Sequence, residues 1–277
     1  MKLSLLILIL ISFSVSAQVD QKISEDRWAY YGEQFYLAAS KSLLDKAAIT
    51  KILNGKHTIV KGQYDSISSS CDGNCYQHIS VGYDAARKFL FGEIYMLKDA
   101  EGTYVKDVYC GKKFHFRDVN DASNMHAEVN IEHTWAQSKF TSRYPTGTQK
   151  SDMHHLFLTD SKANSQRGNL DFADLTDVRN ELNVQNCPNS KLGRSEGKMT
   201  FMPPAEHRGN LARALFYFST HYELDLSRSV EKTLRQWHAA DPVDSNEIAR
   251  HEIIARVQKV RNPFIDHPEF VEKVSDF

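Results

Sequence analysis

Residues 130–135 have the sequence Asn-Ile-Glu-His-Thr-Trp, which places the carboxylate of Glu132 directly beside the imidazole of His133. A second stretch, residues 151–169, is Ser-Asp-Met-His-His-Leu-Phe-Leu-Thr-Asp-Ser-Lys-Ala-Asn-Ser-Gln-Arg-Gly-Asn. The first stretch predicts a strand, and the second predicts another strand followed by a short helix. We expect Thr159 or Asp160 to cap that helix and Gly168 to end it. Asn164 then lies inside the helix, where Asn is a poor helix former.

These residue types suit the hydrolysis of a phosphodiester bond. In-line displacement needs an activated water on one side of phosphorus and charge stabilisation of the departing oxygen on the other side. We expect the oxygens of Glu132 and Asn164 to hold a hard divalent cation, which would neutralise the phosphate. Because neighbouring side chains on a strand point to opposite sides, His133 would act across the substrate from the cation held by Glu132. Its imidazole, neutral near pH 7, would take the proton from the attacking water.

Three groups of residues resemble the catalytic core of the bacterial endonuclease I family. They are Asn130-x-Glu132-His133-x-Trp135, Asp152-x-His154-His155-Leu156 and Asp160-x-Lys162-x-Asn164-Ser165-x-Arg167-Gly168-Asn169. The string Arg261-Asn262-Pro263-Phe264-Ile265-Asp266-His267-Pro268 is similar to the C-terminal signature of that family. The similarity runs in order from about residue 128 to residue 275 and is looser before it, where Tyr83-Asp84-x-Ala86-Arg87 also matches.

The resemblance implies a ββα-metal (His-Me finger) core and cleavage of nucleic acid without sequence preference. It also implies dependence on Mg²⁺, with Mn²⁺ or Ca²⁺ substituting in binding, and products with 5′-phosphate ends. By position in the motif, Glu132 and Asn164 match the metal ligands, and His133 matches the general base.

The residue that steadies the phosphate is not settled by the resemblance. Many relatives have Arg immediately before the Glu-His pair, whereas this chain has Ile131. We expect Arg167 to take that catalytic role, because it lies one helical turn from Asn164. Arg143 and Lys139, between the two stretches, are weaker candidates for substrate binding.

Asp152 and His154 belong to the predicted second strand of the core. We expect them to support the site from behind, with His154 orienting His133 or a metal ligand through a hydrogen bond. His155, on the opposite face of that strand, is predicted to serve packing.

The rest of the chain predicts an α+β fold: a helix-rich single domain, residues 18–277, around the small core. Apolar periodicity predicts helices over 25–47, 80–92, 204–223 and 246–260, and turn signals predict a hairpin over 94–110. Ser80 is a candidate cap of the second helix.

Residues 1–17 predict a secretory signal peptide: Lys2 is followed by a Leu- and Ile-rich run, and Val15-Ser16-Ala17 provides the small residues of a cleavage site. We therefore expect cleavage after Ala17 and a periplasmic or secreted monomer that is not anchored in a membrane. In an oxidising compartment, Cys71, Cys75, Cys110 and Cys187 are disulfide candidates with three possible pairings. A zinc site that uses Cys71 and Cys75 is the alternative.

The chain carries 34 Lys and Arg against 35 Asp and Glu, which excludes a strongly basic nucleic-acid binder. Any site for a polyanion must therefore be local, and a metal ion is one way to supply positive charge there. The leading hypothesis is an exported, Mg²⁺-dependent, non-specific endonuclease acting on DNA, with RNA left open as a second substrate. The alternatives are a catalytically weakened relative that binds nucleic acid or a protein partner, and a disulfide-stabilised hydrolase such as a zinc phosphoesterase.

Overall fold

The structure is a computed structural model that describes residues 27–40, 44–71, 73–123, 127–177 and 181–277. The predicted signal peptide and its cleavage site after Ala17 lie outside these residues. Within the described ranges, no helix combines the length and the apolar character needed to cross a membrane.

Short strands form four small sheets in the described part of the chain. The strands are β1 (Lys56–Thr58), β2 (Ser66–Ser68), β3 (Leu97–Asp99), β4 (Gly102–Lys106), β5 (Lys113–Phe116), β6 (Val129–His133), β7 (Leu156–Asp160), β8 (Asp171–Phe172), β9 (Lys191–Ser195) and β10 (Lys198–Met202). The sheet orders are β1-β2, β3-β4-β5, β6-β7 and β8-β10-β9, and only the pair β8-β10 is parallel.

Helices account for most of the regular structure. They are α1 (Glu33–Ala39), α2 (Lys46–Leu53), α3 (Tyr83–Phe89) with a π-helical turn (Leu90–Ile94), α4 (Val119–Ser123), α5 (Thr146–Ser151), α6 (Ser161–Arg167), α7 (Ala205–His221), α8 (Arg228–Ala240), α9 (Ser245–Gln258) and α10 (Pro263–Asp266). Together with the small sheets, they confirm the predicted α+β class.

The helix α7 is the centre of the larger hydrophobic core. Most of its residues are buried, and it packs against α2 and α8. A helix buried on nearly all faces has no polar stripe, which distinguishes α7 from an ordinary surface helix. A second buried cluster lies behind β6 and β7 and includes Val129, Ile131, Leu156 and Leu158. Because side chains alternate along a strand, Glu132 lies on the opposite face of β6 from these residues.

The antiparallel pair β6-β7 and the helix α6 form the compact ββα unit that the sequence predicts. Ile131 pairs with Leu158, and His133 pairs with Leu156. The carboxylate of Asp160 accepts hydrogen bonds from the backbone N–H groups of Lys162 and Ala163. Gly168 ends the helix with φ of 55°, a backbone conformation that favours glycine. The predicted cap and end of this helix are both confirmed.

Two predicted helices differ in the structure. The described part of the segment 25–47 is interrupted at Gly32, whose φ of 73° is incompatible with a continuous helix. The helix predicted over 80–92 begins only at Tyr83, and the Ser80 hydroxyl contacts the Ser151 hydroxyl instead of a helix end. The long helices near the C-terminus agree with the predictions, as α7 and α9 show.

The predicted hairpin is present as β3 and β4, with a third strand, β5, that the sequence did not indicate. The four cysteines form two disulfides, Cys71–Cys75 and Cys110–Cys187. The zinc site considered for Cys71 and Cys75 is therefore wrong, because both thiols are used in a disulfide. The second disulfide joins the end of the β4–β5 connection to the segment before β9 and lies next to Tyr109.

Candidate active site

A polar cleft of about 370 Å³ lies between the end of β6 and the helix α6. Its lining includes Glu132, His133, Asn164 and Arg167, which the sequence placed in one site. Other lining residues are Tyr83, Asn130, Gln137, Ser138 and Asn169. The ββα unit thus brings the four candidate residues to a single cleft, although their roles stay predictions.

Glu132 is held by contacts to only one of its two carboxylate oxygens. Its Oε1 accepts a hydrogen bond of 2.9 Å from the Tyr109 hydroxyl and lies 2.8 Å from Arg167 Nη1. Oε2 accepts no hydrogen bond from any residue that the structure describes. Burial raises the pKa of this carboxyl, and the Arg167 guanidinium opposes that effect. The side chain is therefore fixed in place with one oxygen available to a ligand.

His133 is oriented by the backbone carbonyl of Lys150, which lies 3.0 Å from Nε2. Since a carbonyl oxygen can only accept, Nε2 carries the hydrogen, and the lone pair of the neutral ring lies on Nδ1. The Gln137 amide nitrogen is 3.3 Å from that Nδ1. Burial lowers the pKa of His133 to about 4, so the imidazole is neutral at pH 7. The ring is therefore prepared to accept a proton at Nδ1.

The ring of His133 lies among other aromatic rings. Tyr83 stacks on it at 5.5 Å between centroids, and His155 meets it edge-on at 5.4 Å. His155 is itself held by the Gln149 carbonyl, 2.9 Å from its Nε2. The ring that packs behind His133 is thus that of His155, and His154 makes no hydrogen bond to His133 among the described residues. The expected support of a metal ligand by His154 stays a prediction.

The local backbone explains why His154 and His155 have these surroundings. Residues Met153–His155 form a 3₁₀ turn before β7 and are not part of the strand, so the strand alternation used in the prediction does not apply to them. His154 Nε2 lies 3.1 Å from the Val260 carbonyl, and its ring packs on Tyr217 at 4.6 Å. It faces the core formed with α7.

Asp152 lies outside the cleft lining, and its expected supporting role stays a prediction. Its carboxylate accepts hydrogen bonds of 2.9 Å from the hydroxyls of Tyr217 and Tyr222, and it caps the 3₁₀ turn through the His154 backbone N–H. These contacts fix the turn that leads into β7. Because Lys150 is only two residues away, they also help to place the carbonyl that orients His133.

Asn164 faces β6 across the cleft. Its side-chain nitrogen lies 3.4 Å from the Ile131 carbonyl, to which it donates. The amide orientation is inferred from this contact, and it leaves the side-chain oxygen without a donor among the described residues. Asn164 therefore offers a carbonyl oxygen to the cleft that Glu132 also lines.

Arg167 is buried in the cleft wall, where both Nη atoms contact the protein and Nε is buried without a hydrogen-bond partner among the described residues. Besides Glu132, its guanidinium donates to the carbonyls of His133 at 3.1 Å and Thr134 at 2.6 Å. It also stacks on the Phe172 ring at 4.4 Å. These contacts describe an arginine that holds the end of β6, and its predicted contact with phosphate stays a prediction.

The two weaker basic candidates are not in the lining of this cleft. Arg143 pairs with Glu223 on the surface. Lys139 Nζ lies 2.6 Å from Asp171, and the residue lines a neighbouring cavity of about 230 Å³ that shares Arg167 as a wall. Both side chains are partly exposed, but their contacts direct them away from Glu132 and His133.

Sequence reasoning missed Tyr83, Lys150 and Tyr109. Lys150 Nζ lies 4.5 Å from the centre of the Tyr83 ring, so an ammonium group stands beside the ring that covers His133. Tyr83 could have been found from the sequence, because it belongs to the stretch Tyr83-Asp84-x-Ala86-Arg87 that resembles the family. The Tyr109–Glu132 hydrogen bond spans 23 residues and has no local signature.

Comparison with known proteins agrees with this geometry. The family described as Endonuclease I matches residues 49–269. The chain is 34% identical over 165 residues to an extracellular ribonuclease of Bacillus amyloliquefaciens, which is 52% of this chain and 53% of that protein. It is 31% identical over 117 residues to an extracellular deoxyribonuclease of Aeromonas hydrophila, which is 42% of this chain and 49% of that protein.

The matches to individual relatives cover only part of each relative's sequence. The chain spans about half the length of the curated relatives that it matches. The family match, in contrast, covers well over half of the chain and includes the ββα unit and the cleft. The protein therefore belongs to the endonuclease I family.

Proposed function

We propose that this protein is a metal-dependent endonuclease that hydrolyses phosphodiester bonds of DNA without sequence preference and leaves 5′-phosphate ends. RNA is the second substrate class, because relatives named as ribonucleases and as deoxyribonucleases both match the chain. The observation that carries the proposal is the cleft in which Glu132, Asn164 and a neutral His133 meet.

The donor atoms suit a hard divalent cation. Glu132 Oε2 and the side-chain oxygen of Asn164 accept no hydrogen bond within the described part of the chain. A carboxylate and an amide oxygen, completed by water, are ligands that Mg²⁺ prefers. We infer that these two residues hold Mg²⁺, which Mn²⁺ or Ca²⁺ can replace in binding. When bound, such a cation neutralises charge on the scissile phosphate and on the leaving oxygen.

His133 acts as the general base in this proposal. The Lys150 carbonyl keeps the hydrogen on Nε2, so Nδ1 accepts the proton of the attacking water. Arg167 positions Glu132 through Oε1 and leaves Oε2 to the cation. Absence of sequence preference follows if the cleft grips phosphate and sugar, which carry no sequence information.

Export to the periplasm or the medium is part of the proposal. Matched relatives are named extracellular or periplasmic nucleases. The two disulfides fit an oxidising compartment. We further propose that the chain works as a monomer after removal of residues 1–17. Mass spectrometry of the exported protein would test the removal, which predicts an N-terminus at Gln18.

The proposal is tested by cleavage of supercoiled plasmid. Wild-type protein should degrade the plasmid with Mg²⁺ and stop when EDTA is added. His133→Ala should lose about 10²- to 10⁴-fold in rate, as expected for loss of a general base, while keeping its far-UV circular dichroism. His115→Ala is the matched control, because His115 pairs with Asp99 in the β3-β4-β5 sheet.

Two results would overturn the proposal. One is cleavage by His133→Ala at the wild-type rate. The other is retention of plasmid in a gel shift without any product in Mg²⁺ or Mn²⁺, which would support the alternative of a nucleic-acid-binding relative.

A further inference from the structure

A second group of ligand-type side chains lies outside the nuclease cleft. His78 precedes α3, Asp152 follows α5, and His221 is the last residue of α7. One ligand atom from each lies within 4.8 Å of those of the other two. None of the three residues lines the cleft that contains Glu132.

The carboxylate of Asp152 is completely buried without a cationic partner. Its hydrogen bonds come from two tyrosine hydroxyls and one backbone N–H, all neutral donors. No Lys or Arg of the described ranges pairs with it. A fully buried carboxylate is rare unless it is paired or coordinates a metal, because burying an uncompensated charge costs several kcal/mol.

His221 provides an independent sign of a missing ligand. The side chain is 1% exposed, and its Nδ1 is buried with no hydrogen-bond partner among the residues that the structure describes. Buried ring nitrogens normally have a partner, so an orphan calls for a water or an ion. The ring meets that of His78 edge-on at 5.0 Å between centroids. Burial lowers the pKa of both imidazoles, which keeps their lone pairs available for a metal.

Another grouping of the same residue types differs in its charge balance, although both ring nitrogens of His251 are likewise buried without a hydrogen-bond partner among the described residues. His251, Glu252 and Asp266 also place their ligand atoms within 4.8 Å of one another. There, Arg261 pairs with both carboxylates at 2.6 and 2.7 Å. The negative charge is thus already compensated by a guanidinium, and no ligand is needed.

We propose that His78, Asp152 and His221 bind one divalent transition cation of the zinc class, at a site separate from the nuclease cleft. Two imidazoles and one carboxylate are a typical donor set for Zn²⁺, with water completing the coordination, whereas Mg²⁺ prefers oxygen ligands. The cation supplies the positive charge that Asp152 lacks. It also links three parts of the chain, namely the segment before α3, the end of α7 and the residue that follows α5.

The position gives the bound cation a structural role. Asp152 lies two residues after Lys150, whose carbonyl orients His133. Fixing Asp152 therefore fixes the backbone behind the general base. The cation itself stays away from the reacting atoms and would act as a positioning element.

The test uses the full chain, stripped with EDTA and then titrated with ZnCl₂ by isothermal titration calorimetry. Bound zinc is counted by metal mass spectrometry after dialysis, and Tm is measured with and without zinc. We expect one zinc per chain and a higher Tm in zinc. His78→Gln should bind zinc at least about tenfold more weakly and lose the rise in Tm, because it removes one ligand. His78 is partly exposed, so this variant should fold.

Two variants separate this site from other histidines and from the cleft. His115→Gln changes a histidine of the β3-β4-β5 sheet and should bind zinc as the wild type does. Asn164→Ala removes a proposed ligand of the cleft and should also retain the zinc. His221→Gln, checked by circular dichroism, should repeat the loss seen with His78→Gln.

The proposal is overturned if the wild type retains no zinc and gives a flat isotherm, or if His78→Gln binds zinc as tightly as the wild type. Neither outcome affects the nuclease proposal. Mg²⁺-dependent plasmid cleavage and its loss in His133→Ala, compared in zinc-free and zinc-loaded protein, test the nuclease proposal separately.

Discussion

Two buried glutamate–arginine pairs in this molecule differ in how completely they are satisfied. Arg213 of α7 binds both oxygens of Glu247 from α9, with three contacts between 2.6 and 3.0 Å. Arg167 of α6 binds only Oε1 of Glu132 from β6, at 2.8 Å. In the first pair both carboxylate oxygens accept hydrogen bonds from the arginine, whereas in the second pair one oxygen stays open to the cleft.

The remaining contacts of the two arginines follow the same division. Arg213 also reaches the Asp241 carbonyl at 2.9 Å and joins α7 to the region between α8 and α9. Arg167 reaches the carbonyls of His133 and Thr134 and so fixes the end of the strand that carries the proposed general base. A saturated buried pair joins elements of the fold, while an unsaturated pair presents a prepared ligand. The comparison therefore predicts that the Arg213–Glu247 pair serves the fold and that the Arg167–Glu132 pair serves the proposed function.

The largest effect on activity is expected for Glu132→Gln. The amide oxygen can still accept from Tyr109 and Arg167, but the free position becomes an N–H group that cannot bind a cation. We expect the Mg²⁺-dependent rate to fall by about 100-fold or more, with a small change in Tm. Initial rates of plasmid nicking, together with a melting curve, check this. A large fall in Tm with an unchanged rate in the folded protein would mean that Glu132 serves the fold and not the activity, which contradicts the comparison.

The opposite result is expected for Glu247→Gln. Its amide N–H group would face the Arg213 guanidinium, since both carboxylate oxygens accept from that side chain. Breaking a buried pair costs about 3–5 kcal/mol in the free energy of unfolding. Urea unfolding measures this, and the rate per folded molecule should be unchanged. A variant as stable as the wild type would show that the pair does not join the helices.

Arg167→Lys tests the wall of the cleft. A lysine has no planar fork and cannot serve Glu132 and two carbonyls together. We expect about 10- to 100-fold loss in rate, as for loss of a residue that supports a metal ligand. Arg213→Lys is the matched control, and it should lower Tm without changing the rate. Equal effects of the two substitutions on rate would contradict the assignment of Arg167 to the site.

A smaller effect is expected for Tyr109→Phe. The substitution removes the hydroxyl that donates to Glu132 Oε1 but leaves Arg167 in place. A hydrogen bond to a charged group contributes about 1.5–3 kcal/mol, and part of that loss should appear as an up to roughly tenfold lower rate. Tyr104→Phe, in strand β4, controls for loss of a tyrosine hydroxyl elsewhere. A rate equal to the wild type would mean that Arg167 alone orients the carboxylate.

The smallest change in the cleavage rate is expected when the pH is lowered to mildly acidic values. The pKa of His133 is lowered by burial to about 4, so the base stays unprotonated from pH 8 to about pH 5. Titration of His133 should therefore cause no fall near pH 6.5, and the rate should decline only at more acidic pH. Protonation of Glu132, whose pKa burial raises, acts in the same direction. Rates measured on protein whose fold is checked at each pH test this, and a midpoint near 6.5 would contradict it.

The sequence predicted the site best where the site is local. The cap at Asp160, the end at Gly168 and the meeting of Glu132, His133 and Asn164 all follow from forty consecutive residues. The surroundings of His154, which faces the core beside Tyr217, were missed because a 3₁₀ turn replaces the expected strand. Contacts with high sequence separation, such as Tyr109 to Glu132 and the disulfide Cys110–Cys187, have no pattern in a single chain.

The interruption at Gly32 shows a similar limit in the fold. Apolar spacing over 25–47 matched one helix, but a glycine with positive φ breaks it where the chain passes Ile67 and Asp65. Periodicity reports which side chains are buried and does not report where the backbone turns.

The central claim is that the open oxygen of Glu132 and the amide of Asn164 hold one cation. Isothermal titration with Mn²⁺ tests it most directly, comparing the wild type with Asn164→Ala and with Asn169→Ala as a control from the same cleft. The wild type and Asn169→Ala should bind one more Mn²⁺ per chain than Asn164→Ala does. Equal binding by all three proteins would contradict the claim.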